Sequence, residues 1–241
     1  VKAQLCALAA FLILSNQTVA QTHADPRALN LLAQAKAAAG GVRLNRLTTF
    51  YNAGTRVRDG KTDGVYQEWG DYRTMAYTNI ETFDGKTSTS GFDGKSAWQL
   101  DDGGKVEILP DGPPSIGTKL SGYLDVQGYF FPEHFPATFS YIGVLKDKDV
   151  DYDVVTAFPS GMIPIELWFD RKNHLLNHIE GKLGSTSIRG DLLQYQRVDG
   201  VAVMRNALQT ATTQSGVHTE SQNVAVYQFK PVAAERISVP K

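Results

Sequence analysis

Residues 83–112 read FDGKTSTSGFDGKSAWQLDDGGKVEILPDG, with Asp-Gly pairs beginning at Asp84, Asp93, Asp102 and Asp111, nine residues apart. Asp-Gly tolerates the positive backbone angles of tight turns whose twist matches that of paired strands. Nine residues leave room for one short strand between turns, so the stretch predicts an antiparallel meander. A calcium-binding nonapeptide β-helix would share the period, but its Gly-Gly-x-Gly-x-Asp core is missing from every unit. Further pairs at Asp59, Asp63 and Asp199 carry the same hairpin signal outward in both directions.

Toward the C-terminus, β-prone runs follow one another: Phe139–Leu145, Tyr152–Phe158, Ile163–Phe169, Leu175–Leu183, Leu192–Val198, Val201–Ala211 and Val217–Phe229. Within Ile165-Glu166-Leu167-Trp168-Phe169-Asp170 the alternation puts Ile165, Leu167 and Phe169 on one face and the acids on the other. One side of the sheet is therefore expected dry and the other wet. Two helices interrupt the β texture. Asp25 as cap, Pro26 at the first helical position and Gly40-Gly41 after the last alanine frame the first, with Leu29, Leu32 and Ala33 expected on its buried face. Ile116, Leu120 and Leu124 step by four and predict a short amphipathic or lid-like helix over Ser115–Gln127, weakened by Gly117 and Gly122.

At the N-terminus, Lys2 precedes an apolar run from Leu5 to Leu14, followed by Ser15-Asn16-Gln17 and Thr18-Val19-Ala20. That is the layout of a secretory signal peptide cleaved after Ala20, too short to span a bilayer. The expected organisation is thus a leader over residues 1–20 and one β domain over residues 21–241, exported to a periplasmic or secreted location. The single cysteine, Cys6, falls inside the leader and lacks the small-residue context of a lipid-attachment site. The chain carries 24 basic and 25 acidic residues; the leader holds Lys2 alone, which leaves a net charge of −2. This balance argues against nucleic acid as a partner.

Chemistry-bearing patterns fail one by one. Gly94-Lys95-Ser96 and Gly85-Lys86-Thr87 resemble the end of a phosphate loop, but Thr89 and Ile80 stand where its first glycine belongs. Asp147, Asp149, Asp151 and Asp153 resemble the start of a calcium loop, yet Tyr152 and Phe158 replace the required Gly and Glu. On an extended strand the four carboxylates would line one face as a solvated rim. His174 and His178 have a helical metal spacing in what reads as a hairpin, where they would stand about 13 Å apart. There is no Gly-x-Ser-x-Gly elbow and no aspartic-protease loop. Carboxylates from distant strands could still meet in space. No metal, cofactor or catalytic residue is expected.

Gly91-Phe92-Asp93-Gly94-Lys95-Ser96-Ala97-Trp98, Tyr152-Asp153-Val154-Val155, Pro164 through Asp170, and Tyr195 through Asp199-Gly200-Val201 together resemble the periplasmic lipoprotein-carrier (LolA/LolB-like) superfamily. The resemblance implies an antiparallel sheet curled into an incomplete barrel, a helix across its mouth and acyl chains in an apolar concavity. It also implies an arginine presented to the cargo from an early strand, with Arg43, Arg46, Arg56 and Arg58 as candidates. On this basis the fold class is mainly β, LolA-like, with an N-terminal helix and a short helical lid. The cavity lining is expected from Trp69, Tyr77, Trp98, Leu120, Leu124, Phe131, Ile165, Leu167 and Phe169, although large aromatics serve a packed core equally well. The partners implied are an apolar ligand or a lipid or lipoprotein acyl chain, with transient contacts to membrane proteins. A non-catalytic accessory module and an enzyme on the same scaffold are the alternatives.

Overall fold

The computed structural model describes residues 25–240, so the expected leader lies outside the described residues. Helix α1 (Pro26–Ala39) begins where the cap predicts: Asp25 Oδ1 accepts from the Arg27 amide at 2.9 Å. Its other oxygen accepts from the Tyr141 amide at 3.0 Å, tying the start of the helix to the sheet. The buried face is Ala28, Leu31, Leu32, Ala35 and Ala39. Leu29 and Ala33, expected inside, point outward, because the buried stripe runs through position 28 and not 29.

The first meander comprises β1 (Thr49–Arg58), β2 (Thr62–Asp71), β3 (Tyr77–Phe83), β4 (Lys86–Phe92), β5 (Ala97–Leu100) and β6 (Val106–Ile108). Helix α2 (Pro113–Asp125) and a connection to Pro136 follow. The second comprises β7 (Ala137–Asp147), β8 (Val150–Pro159), β9 (Ile165–Asp170), β10 (Leu176–Leu183), β11 (Thr186–Val198), β12 (Val201–Thr213) and β13 (Gly216–Phe229). All thirteen form one antiparallel sheet in the order β6-β5-β4-β3-β2-β1-β13-β12-β11-β10-β9-β8-β7. The two meanders run outward from a single seam, the pairing of β1 with β13.

That order corrects the expected curl into an incomplete barrel: the sheet is open and not strongly curled, with β6 and β7 as free edges. Closure requires matched edge strands in a continuous stagger. Here one edge has three residues and the other eleven, with a register break between Tyr141 and Gly143.

Five of the seven Asp-Gly pairs close hairpins, at Asp59, Asp84, Asp93, Asp102 and Asp199; in three of these the Asp itself takes positive φ, at Asp59, Asp84 and Asp199. Asp111-Gly112 instead precedes α2, and Asp63-Gly64 lies inside β2. Gly64 serves close approach there, since a Cβ would sit 2.5 Å from the Phe83 ring.

The main core lies where α1, α2 and the Val126–Phe135 connection meet one face of the sheet. The opposite face carries a smaller cluster of Tyr152, Val154 and Trp168, with His178 in contact with both Tyr152 and Trp168. Helix α2 seats closely: a Cβ on Gly122 would lie 2.6 Å from the Met75 carbonyl oxygen and 3.1 Å from the Tyr77 ring. The glycine that weakens helix propensity is the one that permits this contact.

Candidate functional site

Between α2 and the sheet lies a cavity of about 390 Å³, walled by residues of β1, β2 and β9–β13. Its floor at one end is aliphatic: Ile165 of β9, Leu176 and Ile179 of β10, and Ile188 and Leu192 of β11. Leu120 and Leu124 of α2 form the roof. Alternation along β11 brings Ile188, Gly190 and Leu192 to the same face. A Cβ on Gly190 would meet nothing within 4 Å, so the hollow extends above that glycine.

The other end is polar. Asn52 of β1, Glu68 of β2, Asp125 at the end of α2, Gln127 and Gln222 of β13 all line it. Asn52 and Glu68 are only 5% and 7% exposed. Asn52 Nδ2 donates to Glu68 Oε1 at 2.9 Å, leaving Asn52 Oδ1 buried without a partner, as is Gln127 Oε1. Burial pushes the Glu68 carboxyl above the usual range, opposed by the Arg56 charge and the Asn52 hydrogen bond. Burial pushes Asp125 well above it, reinforced by the charge of Glu68. The two acids therefore compete for charge in one shared space.

None of the four candidate arginines lines the cavity. Arg56 stacks on Tyr66 at 4.4 Å and pairs with Glu81 at 2.9 Å. Arg58 pairs with Glu81 and Glu220, both at 2.7 Å. Two arginines and two glutamates thus form an ion-pair network beside the cavity. Arg43 and Arg46 are exposed.

Of the nine expected lining residues, the structure brings Leu120, Leu124 and Ile165 to the cavity. Leu167 and Phe169 share the face of Ile165 but lie fully buried in the main core, where Phe169 meets Tyr129 at 6.2 Å. Phe131 belongs to the same core, with Lys36 Nζ 4.0 Å from its ring centroid. Tyr77 packs with Phe92 and Ala97, and its hydroxyl donates to the Thr118 carbonyl at 3.2 Å. Trp69 and Trp98 are in register through Thr78 and Gly91, one residue out of step with the row Phe50, Gly70, Tyr77, Phe92 and Ala97. They project to the other side of the sheet, where Trp69 meets Tyr51 at 5.4 Å.

Sequence reasoning missed the polar end. One signal was present: Asp125 closes a helix, at the end where the macrodipole disfavours an anion, and such local conflicts concentrate at functional sites. The Asp147–Asp153 series does not form a one-sided rim, because Lys148 turns the chain at φ 55° between β7 and β8. Asp147 pairs with Arg189 at 2.6 Å, and Asp153 accepts from the Tyr141 hydroxyl at 2.7 Å. Among the described residues, no three His, Cys, Asp or Glu are grouped so as to hold a metal ion.

No protein-family model matches the chain, and no curated protein matches it. The structure is similar to LolA/LolB-type proteins of the outer-membrane-lipoprotein-sorting superfamily. An outer membrane lipoprotein-sorting-type protein domain from Vibrio parahaemolyticus superposes with a TM-score of 0.58 at 11% identity, covering 86% of this chain and 94% of that one. The LolA superfamily protein NE2245 from Nitrosomonas europaea gives a TM-score of 0.58 at 11% identity, over 88% and 97% of the two chains. At this identity the likeness is one of fold, and fold alone does not carry function.

Proposed function

We propose that the protein is an exported, carrier-type binding protein that holds an acyl chain or comparable apolar ligand between α2 and the sheet. The observation that carries this reading is the hollow itself, which the protein's own side chains leave open between an aliphatic floor and the roof of Leu120 and Leu124. Each methylene buried there contributes about 0.8 kcal/mol, so a tail of several carbons binds without any charged contact. Leu120, Leu124 and Ile165 are the expected residues that would touch the tail. Periplasmic or secreted location and transient contact with membrane proteins, for loading and release, belong to the same reading.

A second reading, an enzyme acting on a small substrate in this cavity, is favoured by the two carboxyls at its polar end. Among the described residues, no histidine, cysteine or lysine lines the cavity beside them, and the Ser121 hydroxyl there donates to the Gly117 carbonyl at 3.2 Å.

Native mass spectrometry of the protein purified from its own host tests the carrier reading. Adducts of lipid mass that exchange with an added acyl probe are expected. A clean unliganded mass together with no probe uptake overturns it.

A further inference from the structure

We propose that this cavity selects an amphiphile with a cationic, hydrogen-bond-donating head, an alkyl primary ammonium, seated between Glu68 and Asp125 with its tail along the aliphatic floor. The inference rests on the apolar-ligand reading and adds the chemistry of the head.

Three observations converge. First, the cavity wall is chemically uneven, with Asn52, Glu68, Asp125 and Gln222 on one part and the isoleucines and leucines of β9–β11, with Gln209 of β12 beside Gly190, on the other. An amphiphile fits that division in one orientation. Second, the charges do not cancel. Arg56 and Arg58 pair with Glu81 and Glu220; the Arg56 charge reaches both Glu68 and Asp125 from beside the cavity, but among the described residues no cation lines the cavity wall with the two acids. Third, the buried atoms left without partners at this wall are acceptors. Glu68 Oε1 takes the Asn52 amide nitrogen, so Asn52 is oriented with its Oδ1 free, and Gln127 Oε1 is free as well. Asn52 is 5% exposed, so its oxygen has no recourse to bulk water. An ammonium brings three donors and one positive charge, which is what two carboxylates and an amide oxygen lack. Arg56 has a buried Nε without a partner, but it stacks on Tyr66 and does not line the cavity, so it makes no direct contact with a head seated there.

Calorimetric titration of the intact protein at pH 7.5 compares dodecylammonium, 1-dodecanol and dodecanoate below their micelle concentrations. The ammonium is expected to bind at least about tenfold tighter than the alcohol, and the carboxylate more weakly than the alcohol. In Glu68→Gln and Asp125→Asn, verified as folded by thermal unfolding, the ratio of ammonium to alcohol affinity is expected to fall to about threefold or less. Wild-type protein supplies an independent readout. Burial raises both carboxyls, so an ammonium that favours their charged forms releases protons, and its binding heat is expected to differ between Tris and phosphate buffers while that of dodecanol stays the same. Alcohol bound as well as ammonium, a preference that survives both substitutions, or equal heats in the two buffers overturns the head-group inference alone. If none of the three amphiphiles binds, the apolar-ligand reading falls with it.

Discussion

Asn52 and Glu68 stand directly opposite each other on β1 and β2, and the amide of the first donates to the carboxyl of the second at 2.9 Å. Both are almost wholly buried, on a polar stretch of the face that carries the cavity. A buried carboxyl with a single neutral donor is a costly arrangement, and it becomes more costly with Asp125 above it.

That arrangement makes stability depend on pH. Both carboxyls have raised values in the folded chain, so their contribution is fully present below the unfolded-state values of 4.5 and 3.8 and is lost as pH rises through the folded ones. The double variant Glu68→Gln/Asp125→Asn removes the loss. Its urea midpoint, relative to wild type, is expected to be higher at pH 8 than at pH 4; a difference independent of pH would refute the burial of charge.

His178 acts in the opposite direction. It is 2% exposed, lies 4.3 Å from Trp168 and 5.1 Å from Tyr152, and burial lowers its value from 6.5 to about 4. The unfolded chain takes up a proton below pH 6.5 that the folded one refuses, so up to about 3 kcal/mol of stability drains away between pH 6.5 and 4. His178→Phe keeps the aromatic contacts and should flatten urea midpoints across that interval. An unchanged slope would assign the effect elsewhere.

Gly190→Leu tests the hollow as a binding space. The added side chain grows into open volume from an ordinary strand position, so it should fill the cavity while the melting temperature stays within a few degrees of wild type. Uptake of an acyl probe is expected to disappear. Undiminished uptake would place the ligand outside this cavity.

Gly122→Ala tests how α2 is seated. Its Cβ would press on the Met75 carbonyl and the Tyr77 ring, at an expected cost of about 1–3 kcal/mol, read from denaturant midpoints. If the helix merely rests on the sheet, the substitution stabilises it instead, through better helix propensity.

Much of the local architecture was legible in residue order. Asp25-Pro26 and Gly40 bound α1 as written, and five Asp-Gly turns sit where their backbone preferences put them. The expected Leu192–Val198 strand, by contrast, starts six residues late, because Arg189, Gly190 and Asp191 break the apolar pattern of β11. Those six residues include Ile188 and Gly190, part of the cavity floor. The signal failed there because a strand residue facing a hollow does not need a side chain that fills space. The aromatics misled for the converse reason: Phe169 and Trp98 are fully buried in packing, and what is packed leaves no room for a ligand.

By itself the sequence determined five of the seven expected Asp-Gly turns, both helices and the antiparallel class, since each follows from backbone preferences within a few residues. The face expected wet, by contrast, carries a buried cluster of Tyr152, Val154 and Trp168. Only the tertiary structure decided that the sheet stays open, that β1 pairs with β13 across the length of the chain, and that Glu68 and Asp125 line one cavity. Those facts depend on edge lengths, on a close helix contact at Gly122 and on pairing between distant segments, none of which leaves a local trace in the order of residues.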